Sequence, residues 1–225
     1  MPRWLQTWAP YVLVALFLLA VWLFQGWRRR RRKEGLADVA HRLGLTFEEN
    51  DWGSRSSGPQ LQSRHFAHSY NQVFRNSLSG EREGLAASFF DHVVGGRGGH
   101  TDTIASFTQS IFLPEFALAQ QDVLDKLGDA VLHRQIDFSS DPTFSERFRL
   151  LGADENRVRE LLTPDMREFL DGIEPEWRIE ASGHTLVIYV GGYVVKAEEF
   201  ADFVDETTEF AKNFFSHCHL KKPAF

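Results

Sequence analysis

From Trp4 to Trp27, 24 consecutive residues carry no charged side chain. No other feature limits the architecture of the chain as strongly. The apolar heart of this stretch is Tyr11 to Phe24, YVLVALFLLAVWLF. Taken from Trp8 to Trp27 it has 20 residues. As an α-helix that length is about 30 Å, which matches the hydrocarbon core of a bilayer. Trp4 and Trp8 stand at one end and Trp22 and Trp27 toward the other, where indoles suit the two water–lipid interfaces. A helix beginning near Trp8 puts Pro10 in its first turn, where the missing N–H does little harm. The segment does not read as a cleaved signal peptide. Those carry their positive charge before the apolar run and small residues at a cleavage site after it; here the charge follows, and Trp27-Arg28 is not a small-residue site.

Charge is segregated along the chain. The formal total is −6. Residues 1–33 hold seven basic residues (Arg3, Arg28, Arg29, Arg30, Arg31, Arg32 and Lys33) and no acid, so residues 34–225 carry all 31 acids, 18 basic residues and a net −13. Six consecutive basic residues after the apolar stretch, against Arg3 and the α-amino group before it, predict an outside N-terminus and a cytoplasmic domain. The membrane-flanking set is therefore Trp8, Trp27, Arg28 to Arg32 and Lys33. The run reads first as a topology determinant that attracts anionic headgroups without a pocket; selective binding of anionic lipid or RNA is the sharper alternative. A −13 domain argues against nucleic acid as its partner, since phosphate binding needs net basic surface.

The remaining 192 residues suffice for one domain, and 43% hydrophobic content with 20 Phe predicts a packed globule. Cys218 is the single cysteine, so the core alone must hold the fold, as suits a reducing compartment. Glu34 to Gly44 reads as a helix with Leu36, Val39, Ala40 and Leu43 on one side, continuing from the membrane helix through the Arg run. A strand begins at Leu45, and residues 53–63 are a polar loop. Leu85 to Val94 and Thr103 to Leu113 read as strands joined by the glycine-rich tip Gly95 to His100. That tip lacks the Gly-Lys-Ser/Thr ending and the following helix of a phosphate-binding loop. Leu113-Pro114-Glu115-Phe116 reads as a turn, Gln120 to Leu127 as a helix, and Ile136 to Phe138 as a short strand. Phe144 and Phe148 read as core anchors and Asp154 to Leu162 as a helix. Thr163-Pro164-Asp165 has the chemistry of a helix start. Trp177 to Ala181 and Leu186 to Val190 read as a hairpin turning at Ser182-Gly183. A long helix follows from Ala197, with Phe200, Phe203, Thr207, Phe210 and Phe214 forming a core-facing stripe. The fold class is α+β: a transmembrane helix (1–33), then an antiparallel sheet packed with helices (34–225). A split into two subdomains near residue 120 is left open.

Several short motifs are shared with a known group. They are Ala40-His41-Arg42-Leu43-Gly44-Leu45, Leu113 to Phe116, Ile136-Asp137-Phe138, Pro142 to Ser145 and Leu151 to Glu155. Over roughly residues 36–215 the chain resembles a group of uncharacterised bacterial proteins with an N-terminal membrane helix and one cytoplasmic α+β domain. The resemblance implies that architecture and assigns no activity.

Enzymatic templates are absent: there is no Gly-x-Ser-x-Gly, His-Glu-x-x-His or Cys-x-x-Cys. His217-Cys218-His219 places potential ligands side by side, but neighbours on a helix point about 100° apart. His217 and His219 are thus weak metal candidates, and no cofactor is implied. Asp91 and His92, adjacent on a strand, point to opposite faces; Asp91 is a candidate for a buried network with Arg97 or His100. The leading expectation is a single-pass, membrane-anchored, non-enzymatic module that binds another protein. The alternatives are a tethered enzyme with a site near the 85–113 hairpin (Asp91, His92, Arg97, His100) and an envelope- or lipid-associated assembly factor.

Overall fold

The computed structural model describes residues 3–49, 52–53, 72–95, 99–121, 134–173 and 176–218. The chain begins with one unbroken helix, α1 (Arg3–Leu43). It starts earlier than the sequence suggests, so Pro10 lies within the helix rather than in its first turn. Between Tyr11 and Phe24 its large apolar side chains stand exposed, with Trp22 at 68% and Phe17 at 67%, and its length and composition suit it to cross a membrane. Beyond the basic run the same helix turns from exposed to core-forming. Leu36, Val39 and Ala40 are buried on the stripe that their 3–4 spacing predicts. Gly44, at φ +70°, ends it, a conformation glycine adopts freely.

Eight antiparallel strands follow: β1 (Thr46–Glu48), β2 (Trp52–Gly53), β3 (Gln72–Arg82), β4 (Leu85–Val94), β5 (Thr101–Gln120), β6 (Arg134–Gln135), β7 (Phe148–Gly152) and β8 (Trp177–Val190). They form one sheet in the order β1-β3-β4-β5-β7-β6, with β2 also on β3 and β8 also on β5. The organiser is β5. Its first half pairs with β4 (Ala86↔Thr108 to Val93↔Thr101) and its second half with β7 (Phe116↔Gly152 to Gln120↔Phe148). Its other edge pairs with β8 along nearly its whole length, from Ile104↔Tyr189 to Ala119↔Arg178. Among the described residues four further helices complete the fold: α2 (Pro142–Arg147), α3 (Glu155–Leu161), α4 (Pro164–Asp171) and α5 (Phe200–His217).

Several sequence expectations are met closely. Thr163 caps α4 by accepting the Met166 N–H at 3.3 Å, and Asp154 caps α3 by accepting that of Arg157 at 3.2 Å. Phe144 and Phe148 are buried, and on α5 Phe200, Phe203, Thr207 and Phe214 are buried while Phe210 packs against the core. Two turn readings are corrected. The segment Leu113 to Phe116 is not a turn, and Trp177 to Val190 is not a hairpin. Each lies inside a long strand. The two irregularities face each other, Leu113 opposite Gly183, with register shifts on both sides. The extra residues all lie on β5, which advances from Thr108 to Leu113 to Phe116 while β8 steps from Thr185 to Gly183 to Ala181, so Pro114 falls in a β5 bulge next to the point facing Gly183 (φ +61°). The short strand also sits slightly earlier than read, at Arg134–Gln135; Ile136 and Phe138 instead point into the core. Gln120, read as a helix start, instead ends β5; residues 122–127 of that expected helix, the rest of the 53–63 loop, Arg97 and His219 lie outside the described residues.

The sheet has two unlike faces. One carries Leu78, Phe89, Ala105, Phe107, Leu113, Phe116, Ile179 and Ile188 and is packed by α5 and the end of α1 into the main core. The other carries a smaller cluster of Phe74, Phe90, Ile104, Val187 and Tyr189. Asp91 and His92 fall on these opposite faces, as strand alternation requires.

Candidate functional site

The junction between α1 and the sheet is the most elaborate polar construction in the molecule. Arg32 lies four residues before Leu36 and seven before Val39, on the same face of α1, and so enters the domain instead of solvent. Its Nε donates to Asp91 Oδ2 at 2.9 Å and its Nη2 to Asp91 Oδ1 at 2.7 Å, a two-pronged ion pair. Its third nitrogen donates to the Val195 carbonyl. Asp91 also accepts from Asn76 Nδ2 at 2.8 Å and from Thr103 Oγ1 at 3.0 Å, while Thr103 Oγ1 accepts the Val195 N–H at 3.0 Å. Asn76 can reach because it sits at φ +52° in the bulge between Arg75 and Leu78, a conformation asparagine tolerates better than most residues. Asp91 thus has its donors, and the expected link to His100 is not formed.

Close backbone approach reinforces this junction. A Cβ placed on Gly35 would lie 2.7 Å from the Ala197 Cβ, so the absence of a side chain there lets α1 touch the segment after β8. Lys33 pairs with Glu49, and Arg30 with Glu34 at 3.4 Å in the open. The six basic residues therefore divide: Arg32 is structural, Lys33 and Arg30 meet acids, and Arg28, Arg29 and Arg31 remain. These three, with Trp27, form one wall of a groove of about 570 Å³, whose other wall includes Lys196 and Glu198. Trp8 lies near the other end of α1.

On the opposite sheet face a second polar group is built around Asp102, which is fully buried. It accepts the Gly192 N–H, meets His100 Nε2 at 3.1 Å and faces His92 Nδ1 at 3.9 Å. Burial pushes its carboxyl pKa up, but the His92 ring, the Gly192 N–H and the nearby His100 outweigh it and hold the carboxyl below its ordinary range. Tyr189 donates to Glu180 at 2.6 Å, both buried, and burial with the adjacent Glu180 charge drives the phenol well above its usual value. Arg178 underlies Gly191 so closely that a Cβ there would be 2.3 Å from its guanidinium carbon.

The residues proposed for an enzymatic site near the hairpin are thus separated. Asp91 belongs to the helix junction, and His92 and His100 belong with Asp102 across the sheet. Near the C-terminus, His217 stacks on Phe169 with centroids 4.9 Å apart, and its Nδ1 lies 2.8 Å from the Asn213 carbonyl. Among the described residues no three potential ligands cluster as a metal site would need. Burial pushes the Cys218 thiol up to about 12, and its S–H donates to the Phe214 carbonyl.

Sequence reasoning missed the role of Arg32, although two signals were present. An acid stood in the middle of the apolar strand LAASFFDHVV, where burial demands a cation. A basic residue also continued the Leu36–Val39 stripe one turn toward the N-terminus.

No family model and no curated protein sequence matches this chain. Its fold, however, is similar to that of a solved structure, the crystal structure of the mycobacterial trehalose monomycolate transport factor A, TtfA. The TM-score is 0.59 at 10% sequence identity, and the match covers 85% of this chain and 97% of that one.

Proposed function

We propose that this protein is a single-pass, membrane-anchored accessory factor of envelope lipid transport that acts by holding a protein partner at the membrane rather than by catalysis. In this reading the N-terminus is outside and the domain cytoplasmic, as the basic run after the apolar stretch favours. The observation that carries the proposal is the junction. The anchor does not end in a flexible linker but runs unbroken into the core and is fastened there by Arg32 and Asp91. A tether meant only to raise local concentration needs no such fastening; a domain that must present one face to a membrane-embedded partner does. The fold likeness to a transport factor supports the lipid-transport setting.

The test is genetic and biochemical together. Deleting the gene should lower the amount of an envelope lipid reaching the cell surface, measured by pulse labelling. The wild-type chain should restore it, and a chain with a flexible linker inserted between Lys33 and Glu34 should not. Proximity labelling from the C-terminus should recover an integral membrane transport protein. Unchanged lipid flux in the deletion strain would refute the proposal.

A further inference from the structure

The groove beside α1 contains more positive charge than the fold requires. Arg28, Arg29 and Arg31 have no carboxylate partner among the described residues, in contrast to Arg30, Arg32 and Lys33. Two of them are instead held over aromatic rings, Arg31 at 4.7 Å from the Trp27 centroid and Arg28 at 6.0 Å from that of Phe24. This contact orients a guanidinium while leaving its N–H donors free. Across the groove stand Lys196, bonded to Glu199 at 2.7 Å, and Glu198. The volume of about 570 Å³ is of the size that holds a small-molecule group, about 300–1,000 Å³.

Position along the helix narrows the ligand. Arg28 and Arg31 follow Trp27, the end of the 20-residue span, by about 1.5 and 6 Å of helix rise. The headgroup layer begins at that boundary and is about 5–7 Å deep on each side. The groove therefore opens at the level of lipid phosphates, with a domain wall where an isolated helix would have water.

We propose that this groove binds the headgroup of one anionic phospholipid from the adjoining leaflet. Its phosphodiester rests on Arg28, Arg29 and Arg31, and Glu198 accepts a hydrogen bond from a headgroup hydroxyl. Arginine suits this role because its planar fork meets phosphate oxygens in pairs. The acidic remainder of the domain does not oppose binding, because the charge that meets the lipid comes from α1. The inference rests on α1 lying in a bilayer, as in the reading above.

Diffuse attraction gives each basic residue near an anionic surface about the same weight, whereas a groove distinguishes them. Arg30 is 81% exposed, paired with Glu34 and outside the groove lining. It is therefore the control for Arg29. The full-length protein would be placed in nanodiscs of phosphatidylcholine with a minor fraction of phosphatidylglycerol, and retained lipid counted by native mass spectrometry. Wild-type and Arg30→Gln chains should each retain one phosphatidylglycerol. The variant Arg29→Gln, whose side chain leaves the core untouched, should lose about ten-fold or more of that retention with an unchanged melting temperature. Equal losses in Arg30→Gln and Arg29→Gln would overturn the site in favour of diffuse charge. Equal retention of phosphatidylcholine would overturn the anionic class, and displacement by inorganic phosphate in proportion to its binding would reassign the groove to a soluble anion. Protein recovered outside the discs would refute the membrane reading, whereas inserted protein that retains no phosphatidylglycerol refutes the site alone.

Discussion

Replacing Arg32 by Gln probes the fastening between anchor and domain directly. The Asp91 side chain is 6% exposed and that of Arg32 20%. Removing one partner of a buried ion pair costs about 3–5 kcal/mol, chiefly because the other charge stays buried. Here Asn76 and Thr103 still donate to Asp91, and Arg32 is not wholly dry, so the lower end applies, about 3 kcal/mol. A domain of this size loses about 2–4 °C per kcal/mol, which predicts a fall in melting temperature of about 6–12 °C. The assay is thermal unfolding of the full chain in nanodiscs, followed by near-ultraviolet circular dichroism. Asp91→Asn and the double variant complete a cycle, in which the double variant should be less damaged than the sum of the singles by about 2 kcal/mol. Arg30→Gln, which removes an exposed i,i+4 pair, should cost no more than about 0.5 kcal/mol. If Arg32→Gln and Arg30→Gln have the same small effect, or if the cycle is additive, the fastening described above does not exist.

Three further outcomes are expected. Gly35→Ala would raise helix propensity by about 1 kcal/mol in an open helix, but the Ala197 methyl leaves no room; the variant should be less stable than wild type by about 1–3 kcal/mol, and a rise in melting temperature would deny the close approach. Because the Asp102 carboxyl is held below its ordinary range, its contribution to stability is present above about pH 4 and drains away as pH falls through the lowered value; urea midpoints of wild type and Asp102→Asn should differ at pH 5 and draw together as pH falls below 4. Cys218, pushed up to about 12 by burial, should resist iodoacetamide at pH 8 in the folded chain and react at once in denaturant; rapid native labelling would contradict its placement.

Features governed by local chemistry were legible in the sequence. The apolar length of α1, the Thr163-Pro164 start and the Phe stripe of α5 depend on spacing within one element. So did the strand Leu85 to Val94 and the opposed faces of Asp91 and His92. What failed depended on a partner strand. Pro114 and Gly183 each carry an ordinary turn signal, and only the pairing of β5 with β8 keeps both inside strands. The Arg32 site failed for a related reason. Its members come from residues 32, 76, 91, 103 and 195, brought together by sheet register and a bulge that no window along the chain contains.

The unbroken α1 has a mechanical consequence. Helices that cross bilayers tilt by about 20° on average, over a range of about 0–40° set partly by membrane thickness. A hinged domain would average such changes away. With α1 in a bilayer, as proposed above, the helix is a lever whose load is fixed at Arg32, Gly35 and Leu36, so each degree of tilt is delivered to the sheet as a degree of rotation. The direction in which the domain faces along the membrane surface is then a property of the bilayer as much as of the protein.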